Sequence, residues 1–299
     1  MVVGILAGCP ALRPGMTTAQ TTDTFTIGGD LPVHRLGYGA MQLPGPGVWG
    51  EPADSPAAVR VVQAAVEQGV DFIDTADSYG PLVSEQIIAE ALHPYPESLV
   101  IATKAGLVRT GPGEWHSVGR PAYLKQQVEL SLRHLKVDRI DLIQLHRIDG
   151  EVPLADQLGA FTELRDQGKV RHIGLSEISV EQLRAAQEIT AIVSVQNLYN
   201  LKNRQSQDVL DACTADGIAF IPWFPIATGD LAAPDSPVAD IARELDATPA
   251  QVALAWLLKK SPVVLPIPGT KSVDHLTENM GAANLQLSGE DMARLDALA

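Results

Sequence analysis

The sequence has little of what would announce a specialised architecture. Cysteine is scarce: among 299 residues there are only Cys9 and Cys213. Two thiols so far apart give neither a disulfide framework nor the spaced ligands of a zinc site, and they fit a reducing cytoplasm. No His, Asp or Glu spacing on one element forms a ligand set either, so no metal is expected. No apolar run approaches the roughly 20 residues needed to span a bilayer. Positive charge is in deficit, 22 Lys and Arg against 36 Asp and Glu, for a net charge of -14. Such a balance disfavours nucleic acid or an anionic membrane as the main partner. It leaves room for a phosphorylated ligand held by a local cation cluster or a helix N-terminus. A secretion signal is missing as well. Leu6-Ala7-Gly8-Cys9 resembles a lipoprotein cleavage box, but no Lys or Arg precedes it, and the apolar stretch falls short of the about 7–15 residues a signal needs. Residues 1–22 therefore read as a disordered extension, with Met16 an alternative start, and 23–299 as one folded domain in the cytoplasm.

What the chain does have is alternation. Short β-branched or apolar runs take turns with helical patterns. The runs are Arg35 to Met41, Val70 to Asp74, Leu99 to Lys104, Ile140 to Leu145, Val170 to Leu175, Ile192 to Gln196, Ile218 to Trp223 and Val263 to Pro266. Helical patterns follow near Ala57–Gln68, Ser84–Leu92, Pro121–Leu135, Leu154–Gln167, from Val180, near Arg204–Ala215 and Val238–Leu245, and from Val273. Strands separated by crossover helices predict a parallel sheet. Eight such units without interruption favour an α/β fold closed as a (β/α)8 TIM barrel over an open doubly wound sheet. Two extras remain. Phe25–Ile27 and Pro32–His34 flank Gly28-Gly29-Asp30, a hairpin signal for plugging the barrel bottom. Pro249–Lys259 reads as an added C-terminal helix, with Thr248 as N-cap and Pro249 at its first position.

In such a barrel the chemistry lies where strands end and loops begin. The second run ends in Asp74, followed by Thr75-Ala76-Asp77-Ser78-Tyr79-Gly80; the third ends in Lys104, the fourth in His146. Singly, each has a bland reading: a loop cap, a packed aromatic, a solvated lysine, a satisfied core histidine. Together, ionisable groups at the ends of apolar runs on three adjacent strands are less bland, because such groups are seldom buried unpaired. Lys104 would lower the phenol pKa of Tyr79 from its reference of about 10. Asp74 would hold Lys104, Tyr79 would serve as general acid, and His146 would polarise a carbonyl.

At these residues the sequence resembles the aldo-keto reductase superfamily. The matching segments are Asp74-Thr75-Ala76 with Tyr79-Gly80, Thr103-Lys104, Asp141 to His146, Gly174-Leu175-Ser176, Gln196 to Asn200, and Ile267-Pro268-Gly269-Thr270 with Glu278-Asn279. The resemblance implies a catalytic tetrad of Asp74, Tyr79, Lys104 and His146, with NADPH giving its 4-pro-R hydride to a small carbonyl substrate. It implies that Ser176 and Gln196 hold the nicotinamide carboxamide and that Trp223 lies against the ring. Gly39, Ala40 and Met41 would line the other side, Gly269, Thr270 and Lys271 the 2′-phosphate, and Glu278 with Asn279 the adenine. Within the family, Arg35 to Leu43, the Gly45-Pro46-Gly47 turn, Gln86-Ile87-Ile88 and Val252 to Leu258 resemble the bacterial pyridoxal reductases, which points to a B6 aldehyde.

Two positions depart from the family pattern. Glu177 stands where the carboxamide-binding Asn is usual, and a carboxylate cannot donate to the carboxamide oxygen. His275 stands where an arginine usually clamps the 2′-phosphate, and lacks its bidentate fork. NADH use is therefore open beside NADPH. Gly45 to Gly50 matches G-x-G-x-x-G but opens no helix and is broken by Pro44, Pro46 and Pro52, so it is not a dinucleotide fingerprint. Its Trp49, and Trp115 with His116 beyond the third run, are candidates for the substrate pocket. The alternative to a reductase is a nicotinamide-binding sensing module, as in potassium-channel β subunits, which also resemble this family. A barrel hydrolase or isomerase would need no nicotinamide, and Lys104 argues against pairing Asp74 with Asp77 for glycoside hydrolysis.

Overall fold

A strand buried on both faces sends alternate side chains to opposite sides, and this sorting lays out the whole molecule. The computed structural model describes residues 23–226 and 236–298. The expected N-terminal extension, and residues 227–235, lie outside the described residues.

The chain opens with the hairpin of β1 (Thr24–Ile27) and β2 (Leu31–His34), turned by Gly28 and Gly29, both in the left-handed region. The wall then begins with β3 (Tyr38–Gly39), β4 (Phe72–Asp74) and β5 (Val100–Ala105). An antiparallel hairpin of β6 (Leu107–Gly111) and β7 (Glu114–Ser117) follows β5 on the rim. The wall resumes with β8 (Ile140–Leu145), β9 (Val170–Ser176), β10 (Ser194–Gln196) and β11 (Ala219–Phe220). These seven wall strands pair in parallel and in chain order. Helices α1 (Ser55–Glu67), α2 (Val83–Leu92), α3 (Pro121–Leu135), α4 (Leu154–Asp166), α5 (Val180–Gln187) and α6 (Gln207–Asp216) alternate with them. Then come α7 (Pro237–Glu244), α8 (Pro249–Lys260), α9 (Val273–Met280) and α10 (Gly289–Asp296). As the sequence suggests, Thr248 caps α8 in a capping box with Gln251, and Pro249 opens it.

The eighth strand is the expected segment, yet it makes no regular ladder. It closes the barrel with single bonds: Phe220 N–H donates to Val263 O and Leu265 N–H to Phe220 O, both at 2.8 Å. On the other edge Gly37 N–H donates to Pro266 O at 3.0 Å and Gly39 N–H to Pro268 O at 3.3 Å. Pro266 and Pro268 have no N–H to return, so pairing with β3 is one-sided. The first run also narrows, from the expected Arg35–Met41 to two residues, and the seventh, expected to reach Trp223, keeps only Ala219–Phe220 in the ladder.

Inside the barrel, Phe72, Val100, Ala102, Leu142, Ala219, Ile221 and Leu265 form an apolar layer. The hairpin's Ile27, Leu31 and Val33 plug it from below. Residues of opposite parity, such as Ile73, Ile101, Ile143 and Ile173, pack outward under the helices. One more step up each strand, the inward positions turn polar: Asp74, Lys104, Gln144 and Gln196. The apolar floor thus supports a polar ceiling at the C-terminal end of the barrel.

Closure demands bare backbone at one point. A Cβ on Gly39 would lie 2.5 Å from Ile267 O, and one on Gly269 2.6 Å from Gly39 O. Gly39→Ala should therefore cost about 1–3 kcal/mol through backbone displacement. Each kcal/mol lowers Tm by roughly 2–4 °C in a protein of this size. A thermal melt against Gly150→Ala, where a Cβ meets nothing within 4 Å, checks this; equal Tm values for the two variants would contradict it.

Candidate active site

The polar ceiling is organised by one ion pair. Parity places Asp74, the last residue of β4, and Lys104 of β5 on the barrel's inner face. Lys104 Nζ lies 2.5 Å from Asp74 Oδ2, and its side chain has no exposed surface. It also donates to Thr75 O at 2.8 Å. The second Asp74 oxygen accepts from the Gln196 amide at 2.8 Å and the Gln144 amide at 3.1 Å. Burial works against the ammonium, but Asp74 and the Tyr79 phenol outweigh it and hold Lys104 charged, above its ordinary value.

Tyr79 rises from the turn after β4, with its ring 5.2 Å from Lys104 Nζ and its hydroxyl at 3.5 Å. At that length the contact is electrostatic more than a strong hydrogen bond. The expected fall in the phenol's pKa does not result. Burial pushes Tyr79 up, Lys104 pulls it down by less, and Asp74 pushes it up again. The phenol stays protonated through the neutral range.

His146 follows β8. Its ring packs edge-on to Tyr79 with centroids 5.9 Å apart, and Nδ1 meets Ser78 Oγ at 3.2 Å. Burial, then the cations Lys104, Arg147 and Arg109, hold the imidazole well below its ordinary pKa. It is a neutral ring at pH 7. Trp115, on β7, stands edge-on to both Tyr79 and His146 at 6.4 Å. It stays there because Arg109 on β6 stacks on it, 3.6 Å from the ring centroid. The five N–H groups of Arg109 reach carbonyls of Gly47, Val48, Ser78, Gly111 and Glu114. One buried guanidinium thereby knots three rim loops together, with Trp49 near it at 5.7 Å.

From Asp74 and Tyr79 a cleft of about 630 Å³ runs across the barrel mouth. Of the residues expected to line it, Gly39, Met41, Gln196, Trp223, Gly269, Thr270, Lys271, His275, Glu278 and Asn279 do so. Gln42, Pro44, Phe224 and Ile226 join them without having been foreseen. Lys271 is tethered there by donation to Pro44 O at 2.9 Å. Ala40 differs: its methyl is buried in the core between α1 and the barrel. Ser176 is buried at the end of β9 and accepts from Arg147 at 3.0 Å. Glu177 is turned aside: Oε1 accepts from Trp223 Nε1 and from Leu198 N–H, each at 2.6 Å. Among the described residues, no group of three or more His, Cys, Asp or Glu could hold a metal ion, and no helix is long and apolar enough to cross a membrane.

Residues 35–299 match the model of the aldo/keto reductase family. The chain belongs to that family. It is an NAD(P)H-dependent oxidoreductase of the aldo/keto reductase class. Relatives include an uncharacterised oxidoreductase of Schizosaccharomyces pombe, 51% identical over 90% of this chain and 87% of that one. Another is the pyridoxine 4-dehydrogenase of Escherichia coli, 45% identical over 93% of this chain and 99% of the relative. Among solved structures, an aldo-keto reductase of Klebsiella pneumoniae in complex with NADPH superposes with a TM-score of 0.80 at 26% identity. That superposition covers 92% of this chain and 94% of the other.

From the sequence alone Ser78, Arg109, Gln144 and Arg147 carry no assigned role. Gln144 had a usable signal, since it shares the inward parity of His146 two residues on. Arg109 had none, because its partners are backbone carbonyls from three separate loops. This aldo/keto reductase also buries two further carboxyl groups beside β5. Asp77 donates its N–H to Lys104 O at 3.1 Å, and Glu85 accepts from Thr103 Oγ1 at 2.6 Å. Burial raises both, Asp77 well above its ordinary range and Glu85, despite the Thr103 bond, to about 7.

A raised carboxyl pKa means that the folded state keeps a proton the unfolded chain has released. Glu85 therefore stabilises the fold below pH 4.5, its unfolded value, and that stability is lost as pH rises through about 7. The loss is at most about 3 kcal/mol. Denaturant titrations at several pH values should show this decline in wild type and its flattening in Glu85→Gln. Parallel pH curves for the two proteins would contradict it.

Proposed function

We propose that the protein reduces a small aldehyde or ketone to the alcohol using NADPH, with pyridoxal as the leading substrate. The observation that carries the reading is the neutral Tyr79 phenol set between a charged Lys104 and a neutral His146 at the inner end of the cleft.

The residues present fit a nicotinamide. Ser176 Oγ accepts from Arg147, which leaves its own O–H to donate. Gln196 gives its amide hydrogen to Asp74, which leaves its carbonyl to accept. A carboxamide offers the complementary acceptor and donor. At the far end of the cleft, Lys271 and the N-terminus of α9 favour phosphate, which supports NADPH over NADH even with His275 in place of an arginine. When bound, the cofactor supplies hydride to the carbonyl carbon.

The chain's own part is proton supply and charge control. His146 donates from Nε2 to the carbonyl oxygen if Ser78 Oγ–H occupies Nδ1. Tyr79 delivers the proton to that oxygen as it becomes an alcohol. Lys104, held by Asp74, steadies the resulting phenolate and lowers the cost of losing the proton in a buried site. Trp115 and Arg109 roof the reacting end and keep bulk water away. The B6 aldehyde is supported by 45% identity to pyridoxine 4-dehydrogenase across nearly the whole of both chains.

NADPH oxidation by pyridoxal and a panel of small aldehydes tests this. Tyr79→Phe should lower kcat/KM by roughly 10²–10⁴-fold while leaving NADPH affinity intact. Since Tyr79 titrates above its usual value and His146 well below, the wild-type reduction should be flat from roughly pH 6.5 to 9. Oxidation of the alcohol, which needs the phenolate, should instead rise with pH. A limb near the ordinary histidine pKa, or full activity in Tyr79→Phe, would sink the assignment.

A further inference from the structure

The family resemblance sets the residue after Ser176 on the nicotinamide carboxamide. In this chain that residue is Glu177, and its carboxylate points elsewhere. It accepts from the Trp223 indole N–H and from Leu198 N–H, both at 2.6 Å. We propose that Glu177 is a positioning residue whose carboxylate fixes Trp223 as the rigid aromatic wall of the cleft. This rests on the reading of the cleft as a nicotinamide site, because it assigns Trp223 the ring face of that ligand.

Three observations support it. First, Glu177 sits in the left-handed region at φ +56, where a residue with a Cβ is strained. Glycine or asparagine would relieve that strain, and a long acidic side chain is present instead. The twist carries the carboxylate away from the cleft. The Glu177 N–H stays engaged, donating to Gln196 O at 2.9 Å. Second, the Trp223 backbone is lightly held. It lies past the end of β11 on an isolated bridge to Leu198, with one 3.2 Å bond from its N–H to Asn197 O. The next residue, Phe224, is half exposed and left-handed, and packs only at a tilt against Trp223. The indole N–H is the polar handle by which the ring can be fixed, and Glu177 takes it. Third, a single oxygen joins the ends of three strands: Glu177 after β9, Leu198 after β10 and Trp223 after β11. The Arg147 guanidinium lies close enough to the same carboxylate to attract it across the rim.

An indole that spends its N–H on Glu177 has no donor left for a ligand. It can offer only a flat π-face, whose tilt is set by the carboxylate. The selectivity of this wall is then for planar rings, not for hydrogen-bonding groups.

The test is a double-mutant cycle between Glu177→Ala and Trp223→Phe, with Glu177→Gln as the conservative variant. Two readouts are taken. The first is the indole N–H resonance of Trp223, assigned through Trp223→Phe and recorded without cofactor. Glu177→Ala should shift it upfield and speed its exchange with water, and Glu177→Gln should retain most of the hydrogen-bonded shift. The second is the Kd for NADPH. Glu177→Ala should weaken binding by up to about tenfold, because the ligand must then itself order a ring that the carboxylate holds in advance. In the Trp223→Phe background the same change should add less than about twofold. An indole resonance unmoved by Glu177→Ala would overturn the proposal. So would a Glu177→Ala loss of full size in the Trp223→Phe background, which would place the carboxylate on the ligand itself. If wild type binds no NADPH while the indole signal responds as expected, the nicotinamide reading fails and the clamp stands.

Discussion

The ammonium of Lys104 sits inside the barrel without exposed surface, 2.5 Å from the Asp74 carboxylate. Placing two charges there costs several kcal/mol of hydration each, repaid only where geometry is good and remaining valences are filled. The rest of the upper barrel is arranged around that demand. Gln144 and Gln196 fill the other Asp74 oxygen, Thr75 O takes a second ammonium proton, and Tyr79 stands over the pair. Each reaches its place because strand alternation puts every second residue inside. The same alternation lays the apolar floor of Phe72, Ala102 and Leu142 one step below. The ion pair is affordable at the top of the barrel because the floor, closed by the hairpin, carries the stability.

The pair also adds to what burial does to the charge states around it. Burial first, and then its cation with Arg109 and Arg147, keep His146 neutral. Its effect on Tyr79 is smaller than burial, so the phenol remains an acid with a proton to give. The two rings facing the cleft's inner end are thus uncharged at rest beside a permanent ammonium. That combination suits a reaction in which negative charge develops on oxygen and is then protonated.

Much of this was legible in the sequence. Strand order, the plugging hairpin, the Thr248 cap and the gathering of Asp74, Lys104 and His146 on one rim all follow from short-range periodicity and from which residue ends each run. The family assignment follows from those same residues. What could not be read depends on contacts between distant loops. The shape of Gly106–Gly119 cannot be read from its residues; it forms the β6–β7 hairpin, whose Arg109 reaches carbonyls on three loops. Pro266 and Pro268 hid the one-sided closure of the eighth strand. The direction of Glu177 was invisible because it is set by a left-handed backbone, which a glutamate does not announce. The pKa of Tyr79 went the other way because burial, a property of the folded whole, outweighed the neighbouring lysine.

The most direct test of the account is the single-turnover rate at which protein preloaded with NADPH reduces pyridoxal, compared between wild type and Lys104→Met. The NADPH Kd, measured in the same samples, shows that the variant barrel is intact. The expected result is a rate lowered by roughly 10²–10⁴-fold at nearly unchanged cofactor affinity. A Lys104→Met rate within about threefold of wild type, with NADPH still bound, would contradict the central place given to the buried ammonium.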